Sequence, residues 1–140
     1  MSKSPSKRTT TAAKAPAVPA DVLEAVKAAS SKKAEGLIVL DLRNAHGFTD
    51  YFVMATGANP RQIRAIADAV EETLRARGVR PSHTEGYERT EWILLDYFDF
   101  VVHVFSAETR AFYGLERLWG TAVTIDANDL LEQPAAARRA

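Results

Sequence analysis

The sequence predicts a single small α/β domain in which helices flank a mixed β-sheet. Residues 37–42 are almost wholly apolar, as in a strand that is buried on both faces. Residues 92–97 and 100–105 are rich in β-branched and aromatic side chains and are separated by only a short turn, which is typical of a hairpin. Residues 60–78, which lie between these segments, carry apolar residues at the spacing of an amphipathic helix.

The N-terminal part is predicted to be a tail followed by a short helix. Residues 1–19 contain no acidic residue and almost nothing to bury, so we expect a disordered tail. Asp21, with Glu24 three residues later, resembles a capping box at the start of a helix that ends before Gly36. The strand at 37–42 then follows.

A second strand is predicted at 51–56, followed by the clearest helix of the chain. Asn59 suits the N-cap and Pro60 suits the first helical position, because that position has no use for a backbone N–H. Gly78 ends the helix. Its apolar stripe consists of Ile63, Ile66, Ala67, Val70 and Leu74.

A third helix is expected after the hairpin, with Ser106 as its N-cap. Its predicted buried side consists of Phe112, Leu115, Leu118 and Trp119. Residues 79–89 are predicted to form an irregular link with a short strand at 82–85. Composition drifts to Ala, Arg and Pro at the end, so the domain is predicted at 20–125 and a flexible tail at 126–140.

The predicted order is therefore α-β-β-α-β-β-α. The helix between the strands at 51–56 and 92–97 implies a right-handed parallel crossover. The strand pairs on either side of this crossover should be antiparallel hairpins.

Composition excludes several classes of protein. The 18 basic residues balance 18 acidic residues, so electrostatics does not favour nucleic-acid binding. There is no cysteine, which suits a reducing compartment, and we expect a cytoplasmic protein. No apolar run approaches the roughly 20 residues that a membrane span needs, so no membrane association is expected.

The residues offer little for catalysis. Asp96 and Asp99 lie near strand ends, as do Asp41 and Asp50, where a metal-dependent nucleotidyl-transfer site would sit. Asp is also common in turns because its side chain bonds the backbone. The three histidines lack the paired spacing of a metal site. No catalytic residue, metal or cofactor is therefore expected, although an enzyme that uses Asp96 and Asp99 stays an alternative.

Large aromatic residues are more numerous than a four-stranded core needs, and Trp and Tyr often anchor protein interfaces. Strand alternation places Trp92, Leu94 and Asp96 on one face, and Ile93, Leu95 and Tyr97 on the other. Phe112 and Trp119 are assigned to the core. Trp92, beside Glu91 and Asp96, is assigned to a partner surface.

Several segments resemble one known family, the ribosomal silencing factors, also called the Iojap-like family. The resemblance spans about residues 21–120 in the family's order and spacing. The segments are Phe48-Thr-Asp-Tyr-Phe-Val-Met-Ala-Thr-Gly57, Arg61-Gln-Ile-Arg-Ala-Ile-Ala-Asp68, Glu91-Trp-Ile-Leu-Leu-Asp-Tyr97, Val101-Val-His-Val-Phe105 and Arg110-Ala-Phe-Tyr-Gly-Leu-Glu-Arg-Leu-Trp119.

This resemblance implies a nucleotidyltransferase-like fold that is not known for catalysis. It implies binding to the large ribosomal subunit through that subunit's ribosomal protein number fourteen. The bound protein would obstruct joining of the small subunit and repress translation, and the free protein would be a homodimer. By resemblance, the partner surface includes Trp92, Leu94 and Asp96, with Tyr97 beside them. A dimeric scaffold without a ribosomal role stays a second alternative.

Overall fold

A computed structural model describes residues 17–45, 49–120 and 122–132. The expected tails lie largely outside these ranges, as does His46. The elements in chain order are α1 (Ala20–Ser31), β1 (Glu35–Asp41), β2 (Tyr51–Thr56), α2 (Pro60–Arg75), β3 (His83–Glu85), β4 (Trp92–Asp96), β5 (Phe100–Phe105), α3 (Ala107–Tyr113), α4 (Leu115–Leu118), β6 (Val123–Asp126) and α5 (Ala127–Leu131). The predicted fold class, an α/β domain with a mixed sheet, is confirmed.

The strands form one sheet in the order β3-β4-β5-β2-β1-β6. The hairpins β1–β2 and β4–β5 are antiparallel, as predicted. The parallel neighbour of β2 is β5, however. The prediction that the strand at 92–97 would lie parallel to β2 is therefore wrong. The reason is burial: every residue of β5 is buried, whereas residues of β4 alternate between buried and half-buried. The hairpin therefore turns its fully buried strand towards the centre of the sheet.

The two faces of the sheet are covered unequally. Helices α1 and α2 pack on one face and form the larger core cluster. The other face carries a smaller cluster that Leu115, Trp119 and Ala122 cover in part. Its buried members are Leu40, Leu42, Phe52, Met54, Val101 and Phe105. Part of this second face, near β4, is left accessible.

The two helix starts predicted in the first half have different outcomes. Asn59 caps α2 by accepting a hydrogen bond from the Gln62 backbone N–H at 2.9 Å, as predicted. The capping box at Asp21 is wrong, because α1 begins at Ala20 and Pro19 occupies the N-cap without a side-chain bond. Asp21 instead accepts a hydrogen bond from Arg77 Nε at 2.8 Å, which ties α1 to the end of α2.

The predicted third helix is broken at Gly114. This glycine adopts a left-handed conformation with φ of 56°, ends α3 and separates it from α4. Leu115 and Trp119 pack against the smaller core cluster. Phe112 and Leu118 do not, and their predicted burial is wrong: they are 77% and 72% exposed.

The chain remains structured beyond residue 125. Strand β6 pairs with β1, and Asp126 caps α5 by accepting a hydrogen bond from the Asn128 backbone N–H at 2.8 Å. Leu130 of α5 is buried in the larger core cluster. The prediction of a flexible tail from residue 126 is therefore wrong for residues 126–132, and residues 133–140 lie outside the described chain.

Candidate functional site

Strand β4 places three of the four predicted site residues together. Trp92, Leu94 and Asp96 are half-buried on one face, while Ile93 and Leu95 are fully buried on the other, as the alternation predicted. We call Trp92, Leu94 and Asp96 the sheet-face surface. It lies on the face of the sheet that α1 and α2 leave free.

Tyr97 does not belong to this surface. Its ring is buried on the opposite face and stacks on Phe100, with the ring centroids 4.9 Å apart. Its hydroxyl has no hydrogen-bond partner among the described residues. Burial raises the pKa of this hydroxyl. Tyr97 therefore supports the core beneath β4 and is not placed to contact a partner beside Trp92.

Trp92 is held in one orientation by its neighbours. Its indole Nε1 donates a hydrogen bond to Nδ1 of His103 at 3.0 Å. The ring also contacts Phe105 and Tyr113, with centroid separations of 5.6 Å and 4.9 Å. Because these contacts leave part of the indole accessible, Trp92 presents a rigid apolar surface to the solvent.

His103 is the polar residue beneath Trp92. Because its Nδ1 accepts the indole hydrogen bond, the neutral ring carries its proton on Nε2. The ring lies edge to face with Phe52 at 4.5 Å and is 4% exposed. Burial lowers the pKa of His103 to about 4, so the pair with Trp92 is uncharged at neutral pH.

Two of the four carboxylates that suggested catalysis, Asp96 and Asp41, have local partners. Asp96 Oδ1 accepts a hydrogen bond from the Phe98 backbone N–H at 2.8 Å, as turn aspartates often do. Asp41 binds the Arg43 guanidinium, with contacts of 2.7 Å and 2.9 Å, and this hydrogen bonding lowers the pKa of Asp41. Within residues 17–45, 49–120 and 122–132, no three acidic or histidine side chains are grouped to hold a metal ion.

An apolar patch that the sequence did not predict adjoins Trp92. Tyr113 packs on the indole and is 52% exposed, and Phe112 packs edge to face on Tyr113. Leu118 is exposed on the other side of the break at Gly114. Gly114 was the one signal in the sequence for this exposure. A left-handed residue there turns the following helix and changes which side chains face the sheet.

Arg110 fixes the position of α3, and the sequence did not mark it out. Its guanidinium donates to the Gly36 carbonyl at 2.7 Å and to Thr56 Oγ1 at 2.8 Å, and it pairs with Glu116 at 3.1 Å. The same group lies 5.6 Å from the centre of the Phe105 ring. These contacts anchor α3 to the ends of β1, β2 and β5, and so hold Tyr113 against Trp92.

Known proteins resemble this chain along most of its length. A family model described as "Ribosomal silencing factor during starvation" matches residues 15–140. The ribosomal silencing factor of Halalkalibacterium halodurans is 38% identical over 102 residues, which cover 73% of this chain and 87% of that protein. The ribosomal silencing factor of Bacillus subtilis is 35% identical over 102 residues, or 73% and 86% of the two chains.

Solved structures agree with this result. A crystal structure of a Chromobacterium violaceum protein superposes with a TM-score of 0.69 at 35% identity, covering 71% of this chain and 83% of that one. A crystal structure from Bacillus halodurans gives a TM-score of 0.64 at 36% identity, covering 73% and 92%. The chain belongs to the ribosomal silencing factor family.

Proposed function

We propose that this protein binds the large ribosomal subunit in the cytoplasm and represses translation by preventing the small subunit from joining. The direct partner is ribosomal protein number fourteen of the large subunit. Membership of the ribosomal silencing factor family supports the proposal. The observation that carries the site is the partly exposed Trp92, which His103 and Tyr113 hold in one orientation.

The sheet-face surface has the properties of a binding anchor. Trp92 loses little side-chain freedom on binding, because its hydrogen bond and ring contacts already hold it in place. Leu94 lies two residues along the same face, and a shallow groove lined by Glu85, Gly86, Trp92 and Leu94 runs beside it. An aromatic residue next to an apolar groove is the usual centre of an interface.

The rim of this surface is acidic. Glu91 and Glu85 are exposed and Asp96 is half-buried at the far end of β4. Because acidic rims favour basic partners, this surface suits a positively charged ribosomal protein more than RNA phosphates. The bound protein would block joining of the small subunit sterically, and no catalytic step is needed.

Co-sedimentation with purified large ribosomal subunits tests the site. Trp92→Ala should weaken binding by at least about 2 kcal/mol, or roughly 30-fold, the usual threshold for a dominant interface residue. Tyr87→Ala is the matched control, because Tyr87 is also half-buried but packs on the helix-covered face. If both variants bind with wild-type affinity, Trp92 does not belong to the binding site.

Addition of small subunits tests the mechanism. Wild-type protein should reduce the peak of joined ribosomes in a sucrose gradient, and Trp92→Ala should reduce it less at the same concentration. If wild-type protein binds large subunits and joining proceeds unchanged, the steric mechanism is wrong. If wild-type protein does not bind, the proposal fails, and Mg²⁺-dependent nucleotide binding by calorimetry becomes the next test.

The free protein is proposed to be a homodimer. The exposed apolar side chains of Phe112 and Leu118 support this, since a large exposed patch is often covered by a partner. Light scattering should give twice the chain mass for wild-type protein and the chain mass for the Phe112→Ser, Leu118→Ser double variant. A monomeric wild-type protein at 100 μM or more would contradict the proposal.

A further inference from the structure

Phe98 combines two unfavourable features at the tip of the β4–β5 hairpin. Its side chain is 78% exposed, so the ring gains little from burial in this fold. Its φ is 75°, a left-handed backbone conformation in which a bulky residue is strained and glycine is not. Neither feature stabilises the free protein. Such strained residues often occur where a side chain serves a binding partner.

The surrounding structure holds this turn in place. Asp96 Oδ1 accepts a hydrogen bond from the Phe98 N–H at 2.8 Å, and Thr49 Oγ1 donates to the Phe98 carbonyl at 2.8 Å. The Asp99 N–H donates to the Tyr97 carbonyl at 2.9 Å, which closes the tight turn around Phe98. The backbone that carries the ring is therefore fixed before any partner arrives, and binding loses little entropy there.

Two exposed aspartates lie close to the turn that carries the ring. Asp99 and Asp50 are exposed, and the Asp50 N–H donates to the Asp99 carbonyl at 3.0 Å, which brings these two segments together. Arg43, one of the cations near this end of the sheet, is paired with Asp41. An exposed apolar side chain near carboxylates complements an apolar pocket with a basic rim.

We propose that Phe98 is a second anchor for the same basic protein partner, and that it inserts into an apolar pocket rimmed by Lys or Arg. This inference rests on the proposed function, which it deepens. Asp96 links the two anchors, because its side chain lies on the sheet-face surface and also holds the Phe98 N–H.

The spacing fits one interface. Trp92 and Phe98 are separated by the length of β4, about 20 Å for an extended chain of this length. A standard interface buries roughly 800 Å² on each partner, a patch on the order of 30 Å across. One partner surface therefore reaches both anchors.

Phe98→Gly gives the sharpest test, because it should change stability and binding in opposite directions. Removing the ring should weaken binding to purified large ribosomal subunits at least 10-fold. Replacing a strained residue with glycine should raise the urea midpoint of the free protein. Weaker binding by a more stable protein cannot result from misfolding.

Lys33→Gly is the matched control. Lys33 also has positive φ, at 64°, and is exposed. It lies just before β1, at the end of that strand far from the hairpin tip. This variant should also raise the urea midpoint, and it should bind large subunits within about threefold of wild type. Phe98→Asn provides a second loss of the ring, since Asn tolerates the left-handed region.

Each outcome decides the inference. Weak binding by both Phe98 variants, with normal binding by Lys33→Gly, supports it. Wild-type affinity in Phe98→Gly overturns it and leaves the proposed function standing. A Phe98→Gly protein less stable than wild type would show that the ring serves the fold, and would also overturn it. Failure of the wild type to bind large subunits would overturn both proposals.

Discussion

The stability of this protein should fall as the pH drops below about 6.5, because His103 is buried in an apolar setting. The ring is 4% exposed and its close ring contacts are with Phe52, Trp92 and Phe105. None of these rings carries a negative charge that could pair with a protonated imidazole. Burial therefore lowers the pKa of His103 from 6.5 to about 4.

The sign and size of the effect follow from proton linkage. Between these two pKa values the unfolded chain binds a proton that the folded protein does not, so the free energy of unfolding falls as pH decreases. Above pH 6.5, His103 is neutral in both states and the free energy of unfolding does not depend on its titration. The free energy of unfolding then falls progressively as the pH decreases to about 4. At roughly 1.4 kcal/mol for each pH unit, the whole loss is about 3 kcal/mol.

His103→Gln isolates this term, since the Gln side-chain oxygen still accepts the hydrogen bond from Trp92 Nε1. Urea unfolding of both proteins should be followed by far-ultraviolet circular dichroism at pH 7.5 and pH 4.5. Carboxylates titrate in both proteins, so the difference between their losses reports His103. Wild type should lose about 2 to 3 kcal/mol more than the variant. Equal losses would refute the claim that His103 is desolvated.

Three further predictions concern stability and are measured by urea unfolding. Gly86→Ala should cost at least about 3 kcal/mol, because a Cβ there would lie 1.9 Å from the Trp92 carbonyl oxygen. Gly78→Ala, which also has positive φ but no atom within 4 Å of the added Cβ, should cost only about 1 kcal/mol. Leu130→Ala should cost roughly 2 to 5 kcal/mol, because Leu130 is 1% exposed in the core. Asn59→Ala should cost about 1 kcal/mol through loss of the α2 cap.

Each of these predictions has a contrary result. Equal costs at Gly86 and Gly78 would mean that the contact with the Trp92 carbonyl is relieved by a small backbone shift. If Leu130→Ala were as stable as wild type, the packing of α5 on the core would not contribute to stability. An unchanged unfolding midpoint in Asn59→Ala would mean that water replaces the cap without cost.

Local patterns in the sequence were enough to predict α2 and the β4–β5 hairpin. Asn59 and Pro60 mark the start of α2 through chemistry that acts within a few residues. The position of β5 in the sheet depends instead on contacts that are distant along the chain. In the folded protein every residue of 100–105 is buried, which suits a central strand, whereas 92–97 carries the half-buried Asp96 on one face.

The C-terminal elements were missed for a different reason. Strand β6 has only four residues, Val123–Asp126, and it exists because it pairs with β1. Nothing in so short a segment distinguishes it from a loop, and the Ala-rich composition that follows favoured a tail. Tertiary pairing decides its structure.

The candidate site was predictable where it depended on alternation along β4. Trp92, Leu94 and Asp96 share a face because successive side chains of a strand point to opposite sides. The exposures of Phe98 and Phe112 depend on left-handed residues in the turn and at Gly114. Such conformations are not visible in a pattern of apolar and polar residues.

The pairing of β6 with β1 has a consequence for synthesis of the chain. Because translation proceeds from the N-terminus, β1 is made long before β6, its partner on the outer side. Until then β1 presents a row of unpaired N–H and C=O groups, which is a template for pairing with another chain. A nascent chain stopped after residue 122 would keep that edge open. Incomplete products of this protein should therefore aggregate more readily than completed chains, in which the edge strand β6 has only four residues.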